Sequence, residues 1–408
     1  KGPEDTWGAM QRVGRKTALE ILSDFRELKP VPENFSVLVL CGKGKNGGDS
    51  LLTCDYIMRA FPRAQVTVIL YPKREDLDPL TERALLAVES RITLYFLEGS
   101  VQESRLRSII DRKSPDFEGL NLCLDGLLGS GFTPPLKEPM EKLITFINAE
   151  EGIDMRASMD SPSGVAETDY GAFFNSDFCY QTGVPKSFLY RGNARYGRLR
   201  FIDVGLIKAV EPADFKTDEY LVSKNFLKTL SKLRTANVEK RKFGHLFILG
   251  GSTFMPGALL MTVKAAIKSG VGLVTVFAPR SIIGNLSPHA PEAMWMSLPE
   301  NNMGSIAAES GEIMLAHQQH ATAMIAGPGL GQSRDTEFAI QHLIKGSEVP
   351  MLLDADALVP RVLEIIQKGK CQTKNIILTP HVGEFLRMTK LESFNLSSRN
   401  LIKMVQSL

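Results

Sequence analysis

Nothing in this 408-residue chain is apolar over a length that would span a bilayer, and no signal-peptide core opens it. A membrane is therefore not an expected partner. There is also no dense basic stripe: the formal net charge is +2 and the pI near 8.2, so nucleic acid is not expected either. Cysteine is scarce. The five present (Cys41, Cys54, Cys123, Cys179, Cys371) are odd in number and show no C-x-x-C spacing, which points to reduced, mostly buried thiols in a cytosol-like, cytoplasmic compartment. The chain opens on Lys1 rather than Met, which leaves room for a lost organelle-targeting segment. No repeat or low-complexity segment stands out. With 43% hydrophobic and 23% charged residues, the composition is that of a globular protein, and the length suggests two domains.

What is present is alternation. Trp7, Met10, Val13, Leu19, Leu22 and Phe25 suggest an amphipathic helix. Strand-like runs follow at Ser36–Cys41, Gln65–Tyr71, Ile92–Leu97, Leu120–Leu124, Met155–Met159, Asp177–Gln181 and Arg198–Val204, separated by helical stretches. Such alternation indicates a mostly parallel sheet wrapped by helices. From Leu206 to Arg241 the chain turns charged and loses strand signals. Strands resume at His245–Leu249, Leu273–Phe277, Thr322–Ala326, Val349–Leu353 and Asn375–Leu378, with a helix over Gly257–Ser269 and a last one over Ser397–Leu408. The division expected is a first domain over residues 1–220, a linker over 221–240 and a second domain over 241–408.

Many strand-like runs break off into glycine, aspartate or histidine. Ser36-Val-Leu-Val-Leu-Cys41 runs into Gly42-Lys-Gly-Lys-Asn-Gly-Gly-Asp49, with a helix expected from Ser50 to Ala60. Backbone N–H groups in such a turn form an anion site, and ligands of open parallel sheets bind outside the carboxyl ends of the strands. Gly42-x-Gly44-x-x-Gly47 fits the dinucleotide fingerprint, but the second strand exits into Pro72-Lys73-Arg74 before Glu75 and Asp76 appear. A Walker A loop fails, because Gly48 stands where its lysine should be. A purely structural glycine turn remains open.

Lys45-Asn-Gly-Gly-Asp-Ser50 resembles the phosphate-side loop of the NAD(P)H-hydrate epimerase (YjeF N-terminal) family. The resemblance continues through Leu124-Asp-Gly-Leu-Leu-Gly-Ser-Gly-Phe132, Met159-Asp-Ser-Pro-Ser-Gly-Val165 and Thr182-Gly-Val-Pro-Lys186. It implies a Rossmann-like three-layer αβα domain acting on NADHX or NADPHX, the hydrated forms of the reduced cofactor, and exchanging their R and S epimers. By the same resemblance Lys45, Asn46, Gly47, Gly48 and Asp49, with Gly129, Ser130, Gly131, Phe132, Thr133, Pro134 and Pro135, would hold the dinucleotide. Asp160 would be the acid/base at the hydrated ring, and Asn46, Asp125 and Ser163 would ligate a potassium ion. Read alone, Asp160 could cap the Ser161-Pro162 turn and Asp49 a helix start. Two residues depart from the family pattern: Lys45 replaces an asparagine and Ser50 a glycine. Lys45 would either contact the pyrophosphate or crowd the cation site.

The second half resembles the ADP-dependent NAD(P)H-hydrate dehydratase family. The residues carrying this are Leu249-Gly-Gly-Ser-Thr-Phe-Met-Pro-Gly-Ala258, Gly270-Val-Gly-Leu-Val-Thr-Val276, Pro291-Glu-Ala-Met294, Gly327-Pro-Gly-Leu-Gly331, Leu353-Asp-Ala-Asp-Ala-Leu358 and Leu378-Thr-Pro-His-Val-Gly-Glu384. It implies a ribokinase-like α/β domain that uses ADP or ATP, with magnesium, to drive water off the S epimer, and a homo-oligomer. Ala258, Gly331 and His381 would contact the hydrate, whereas Asp354 and Asp356 would brace the turn or the nucleotide side instead of attacking anything. A lone histidine is more often structural; its place in the T-P-H-V-G-E pattern favours the ligand role. His317-x-x-His320 lacks a third ligand and reads as a solvated helix face. The family's later glycine-rich G-T-G-D segment does not occur in the 408 residues, so this domain is expected to be incomplete and without dehydratase activity as the sequence stands. A ribokinase-like small-molecule kinase and a non-catalytic dinucleotide-binding scaffold are the alternatives.

Overall fold

The computed structural model describes residues 3–97, 103–110, 119–166, 171–190, 196–205, 237–390 and 404–405. Most of the charged stretch after Leu206, the expected linker up to residue 236 and nearly all of the helix expected over Ser397–Leu408 lie outside the described residues. The chain forms two compact units, residues 1–230 and 231–408.

The first unit opens with α1 (Pro3–Leu28) and continues through β1 (Ser36–Gly42), α2 (Lys45–Ala60), β2 (Gln65–Tyr71), α3 (Pro79–Val88), β3 (Thr93–Phe96) and α4 (Glu103–Ile110). It is completed by β4 (Leu120–Gly126), α5 (Glu138–Ala149), β5 (Ile153–Met159), β6 (Phe178–Thr182), α6 (Ser187–Tyr190) and β7 (Arg198–Ile202). Its seven strands are all parallel, in the order β3-β2-β1-β4-β5-β6-β7. Every residue of β1 is buried, and successive residues serve opposite faces. Val37, Val39 and Cys41 join the core shared with the first two helices, while Leu38 and Leu40 join that of α4 and α5. The domain is thus a three-layer αβα sandwich. In α1, Trp7, Met10, Val13, Ile21, Leu22 and Phe25 are buried, but Leu19 is 59% exposed. It lies two residues from both Thr17 and Ile21, nearly opposite the buried stripe.

The second unit repeats the plan with β8 (His245–Leu249), α7 (Pro256–Ser269), β9 (Leu273–Pro279), α8 (Arg280–Leu286), β10 (Met294–Leu298), α9 (Ser310–Leu315) and β11 (Ala323–Ala326). It goes on through α10 (Arg334–Gly346), β12 (Met351–Leu353), α11 (Pro360–Gln367), β13 (Ile376–Leu378) and α12 (Val382–Thr389). Its parallel sheet runs β10-β9-β8-β11-β12-β13. Phe247 and Leu249 face one core and Ile248 the other. Both units are therefore parallel-sheet α/β domains. β10 was not expected from sequence: it is an edge strand with only Leu298 fully buried, so it lacks the apolar run of the central strands.

In each sheet the order reverses between the first strand and the fourth, and a ligand crevice opens where crossovers leave to opposite faces. Those points are β1/β4 and β8/β11. At the first, a Cβ on Gly42 would stand 1.8 Å from the Leu127 carbonyl oxygen. Two residues on, Gly44 has open space around it and an ordinary φ of −85°. We therefore expect Gly42→Ala to destabilise the chain by about 3 kcal/mol through backbone displacement, and Gly44→Ala, which meets nothing but replaces the glycine that caps the next helix, by about 1 kcal/mol or less. Thermal unfolding of both variants checks this; equal midpoints would contradict it.

Candidate functional site

The helix after β1 begins earlier than the sequence suggested. Gly44 is its N-cap and Lys45 its first residue, so Asn46-Gly-Gly-Asp49 forms its opening turns instead of a loop ahead of it. Asp49 is thus not the cap. Ser50, buried within α2, donates through Oγ to the Asn46 carbonyl at 3.0 Å. Gly47 and Gly48 are buried, and their missing side chains are accounted for by packing. A Cβ on Gly47 would meet the Gly42 carbonyl oxygen at 2.1 Å, and one on Gly48 would meet Met10 Sδ and Thr81 Oγ1 at 3.0 Å. Gly47 N is itself taken by the Gly44 carbonyl at 2.9 Å, so the backbone N–H groups left for a ligand at this helix start are those of Lys45 and Asn46.

Asn46 reaches across the switch point. Its amide Nδ2 donates to the Leu128 carbonyl at 2.7 Å and to the Met159 carbonyl at 3.1 Å. Ser163 Oγ accepts from Leu128 N at 2.9 Å and donates to Asp125 Oδ1 at 2.6 Å, while Ser163 N donates to Asp125 Oδ2 at 2.7 Å. Asn46, Asp125 and Ser163 therefore gather around the Leu128 peptide. Asp125 has no exposed surface, and burial pushes its carboxyl up to about 6 against the pull of hydrogen bonds from Ser163 and Leu127.

Asp160 stands at the exit of β5 with a φ of +65°, a left-handed conformation rare outside glycine. Its Oδ1 accepts from Thr182 Oγ1 at 3.1 Å, from Thr182 N at 3.4 Å and from the Lys186 ammonium; its Oδ2 accepts from Ser130 N at 3.3 Å. The turn Gly129–Phe132, closed by Phe132 N donating to the Gly129 carbonyl, folds over this carboxylate. A Cβ on Gly129 would lie 3.6 Å from both Asn46 Cγ and Asp160 Oδ2, so Asn46 and Asp160 meet at that glycine's open side. Asp49 joins them: burial holds its carboxyl well above the usual range and the Asp160 charge adds to this, while Lys45 and Lys186 oppose it. Lys45 is exposed, and its charge bears on Asp49, whereas the groups acting on Asp125 are hydroxyl and backbone donors. Gly131, Thr133 and Pro135 are exposed along the rim, with Phe132 and Pro134 partly buried. Sequence reasoning quoted Thr182–Lys186 without giving Thr182 or Lys186 a role; the lysine in that segment was the available signal.

In the second unit the start of α7 meets the turn after β11: a Cβ on Gly329 would lie 3.2 Å from Ala258 Cβ. Two residues on, a Cβ on Gly331 would stand 2.8 Å from Ser305 Oγ, and Gly331 N donates to Asp356 Oδ2 at 2.9 Å. Asp354 accepts from Thr379 Oγ1 at 2.8 Å, so both aspartates brace strand exits. His381 is placed differently. It is the N-cap of α12: its Nδ1 accepts from Gly383 N at 3.0 Å and Glu384 N at 3.3 Å, and Nε2 faces Glu384 Oε1 at 3.2 Å. Two amides on Nδ1 leave the ring N–H on Nε2, where it can donate a hydrogen bond to Glu384 Oε1. All five cysteines are free, four of them buried. Among the described residues no cluster of three or more His, Cys, Asp or Glu could hold a metal, and no helix is long and apolar enough to cross a membrane.

Two family models match, that of the YjeF-related protein N-terminus over residues 8–187 and that of NAD(P)H-hydrate dehydratase over residues 246–407. The bifunctional NAD(P)H-hydrate repair enzyme Nnr of Coxiella burnetii is 30% identical over 88% of this chain and 67% of its own length. The chain belongs to the bifunctional NAD(P)H-hydrate repair enzyme family. The Salinibacter ruber member is 28% identical over 93% of this chain and 70% of that protein. Among solved structures, the ADP/ATP-dependent NAD(P)H-hydrate dehydratase of Bacillus subtilis, co-crystallised with ATP and Mg2+, is 27% identical over 45% of this chain and 59% of that one, with a TM-score of 0.34. Both domains of the repair enzyme family are present, and these matches lend no support to an inactive dehydratase half.

The His381 geometry makes a separable prediction. His381→Ala should cost about 1 kcal/mol through loss of the cap, and His381→Asp, which can accept the same amides, should restore it. Urea unfolding of the second transition reads this directly; equal stability of all three proteins would remove the capping role.

Proposed function

We propose that the first unit interconverts the R and S epimers of NADHX or NADPHX at the hydrated ring carbon, and that the second removes water from the S epimer at the expense of ADP or ATP with magnesium. The observation that carries the first reading is the convergence of Asn46, the Gly129–Ser130 turn and the Asp160–Lys186 pair at the β1/β4 switch point. The second reading rests on the dehydratase family match and on the close approach of Ala258 to the Gly327–Gly331 turn at the β8/β11 switch point.

Epimerisation requires the carbon–oxygen bond at the hydrated carbon to break and re-form. The hydroxyl takes a proton and leaves as water while the ring nitrogen's lone pair closes a C=N bond. Water then adds to the other face, the C=N electrons return to nitrogen, and the added water gives up a proton. One proton is delivered and one withdrawn, and two carboxyl groups in unlike environments can divide that work. Asp160, paired with the Lys186 ammonium, is suited to accept; Asp49, which burial inclines to keep its proton, is suited to donate. The open N–H groups at the start of α2 and the Gly129–Pro135 rim would hold the phosphates and ribose.

The residues gathered at Leu128 fit a potassium ion. Asp125 is a fully buried carboxylate without a basic partner among the groups acting on it; the Ser163 hydroxyl bonds it directly, and Asn46 is tied to the neighbouring Leu128 carbonyl. Carboxylate, hydroxyl and amide side chains supply the oxygen ligands a hard cation takes. Asn46, Asp125 and Ser163 would hold the ion, and its charge would steady the Leu127–Gly131 turn.

Two outcomes are expected. Asp160→Asn should slow interconversion of R-NADHX by about 100-fold or more, followed by chromatography of the epimers; an unimpaired variant removes Asp160 from the reaction. Replacing potassium by tetramethylammonium should lower the thermal midpoint of the first unit, since an ion that binds only the folded state stabilises it. That response should disappear in Asp125→Asn, and an unchanged response would move the ion elsewhere.

A further inference from the structure

The Lys186 side chain is only 15% exposed, and the Asp160 side chain it meets is 14% exposed. Lysine is almost never buried to this degree unless paired. Its backbone is fixed as well: Lys186 N donates at 2.9 Å to Oε1 of Gln181, a side chain with no exposed surface. The ammonium donates both to Asp160 Oδ1 and to the Thr182 carbonyl at 3.2 Å, so the lysine ties the carboxylate to the end of β6.

The donors are distributed unevenly over the two carboxylate oxygens. Three groups from the β6 exit, Thr182 N, Thr182 Oγ1 and Lys186 Nζ, all act on Oδ1. Oδ2 receives only the 3.3 Å contact from Ser130 N and faces the open side of Gly129, where Asn46 also lies. An ionised carboxylate oxygen offers about two lone-pair directions, so Oδ1 is saturated and Oδ2 is not.

We infer that Lys186 is a positioning residue that occupies Asp160 Oδ1 and thereby makes Oδ2 the atom that accepts the proton during epimerisation. The inference rests on the reading of Asp160 as the proton acceptor. It assigns Lys186 no direct contact with substrate, which separates it from a phosphate-binding lysine. Loss of the ammonium should leave Oδ1 with only the two longer Thr182 contacts and the carboxylate less firmly oriented, lowering turnover while dinucleotide binding by α2 and the Gly129–Pro135 rim persists.

The test uses the full chain and purified R-NADHX. Lys186→Ala should lower kcat by about 100-fold, the scale of one misplaced acid–base group, with KM within about threefold of the parent. Added propylammonium should restore turnover, and tetramethylammonium, which carries the charge but no N–H, should not. Lys186→Arg keeps charge and donors but changes their geometry, and should retain the parent's thermal midpoint while losing about tenfold in kcat. Asp160→Asn/Lys186→Ala should be no slower than Asp160→Asn alone. Full turnover in either lysine variant, a loss confined to KM, or equal rescue by both cations would overturn the inference. If Asp160→Asn itself turns over normally, the Asp160 reading fails; if it is inactive while Lys186→Ala is unimpaired, only the role of Lys186 falls.

Discussion

The first site depends on a contact that leaves no space for a side chain, the α-carbon of Gly42 against the Leu127 carbonyl. A Cβ there would sit 1.8 Å from that oxygen. Because the two strand exits can touch, the start of α2 is carried to the Leu127–Phe132 turn, and Asn46 can bond the Leu128 carbonyl. The second unit solves the same problem with the same residue type. Gly251 N donates to the Pro328 carbonyl at 2.8 Å, and a Cβ on Gly250 would stand 2.7 Å from that oxygen. In both sheets the crevice of the switch point is walled by two strand exits brought to backbone contact, and the residues with chemistry follow directly from those exits.

That geometry concentrates negative charge in the first unit. Asp49, Asp125 and Asp160 are all drawn toward one end of one sheet, and burial makes charge there expensive. The structure meets the cost differently at each. Asp160 has the Lys186 ammonium, Asp125 has three hydrogen-bond donors, and Asp49 retains its proton more readily than an ordinary aspartate. The three carboxyl groups therefore sit in three unlike environments, the arrangement by which one site can hold groups of different proton affinity.

Much of this was legible in the sequence because central parallel strands are buried on both faces and read as unbroken apolar runs. β1, β2 and β8 stand almost where their residues suggested, while the edge strand β10, with Met294 and Ser297 exposed, gave no such run. The start of α2 was misread because Asn-Gly-Gly-Asp is poor helix sequence. It becomes helix because the interior fills the space both glycines leave, with the Gly42 carbonyl on one and Met10 and Thr81 on the other. The motifs located Asp160 and His381 but not their partners. Lys186 is 26 residues from Asp160 and meets it only because β5 and β6 are neighbours. For His381 a local signal existed: the glutamate three residues on is the pattern of a capping box, with histidine in the place usually held by serine or threonine.

The two units share a topology yet differ in what their strand exits hold, which bears on the division of labour. At the strand exits of the second unit the aspartates are engaged in hydrogen bonds that hold the turns: Asp356 holds the Gly331 amide, Asp354 holds Thr379, and His381 caps its own helix. A reaction that exchanges protons in both directions needs opposed carboxyl groups already in place, as in the first unit. One that expels water with the help of a nucleotide can draw its driving force from the phosphate it is supplied with, and does not require the same opposed carboxyl groups at its strand exits.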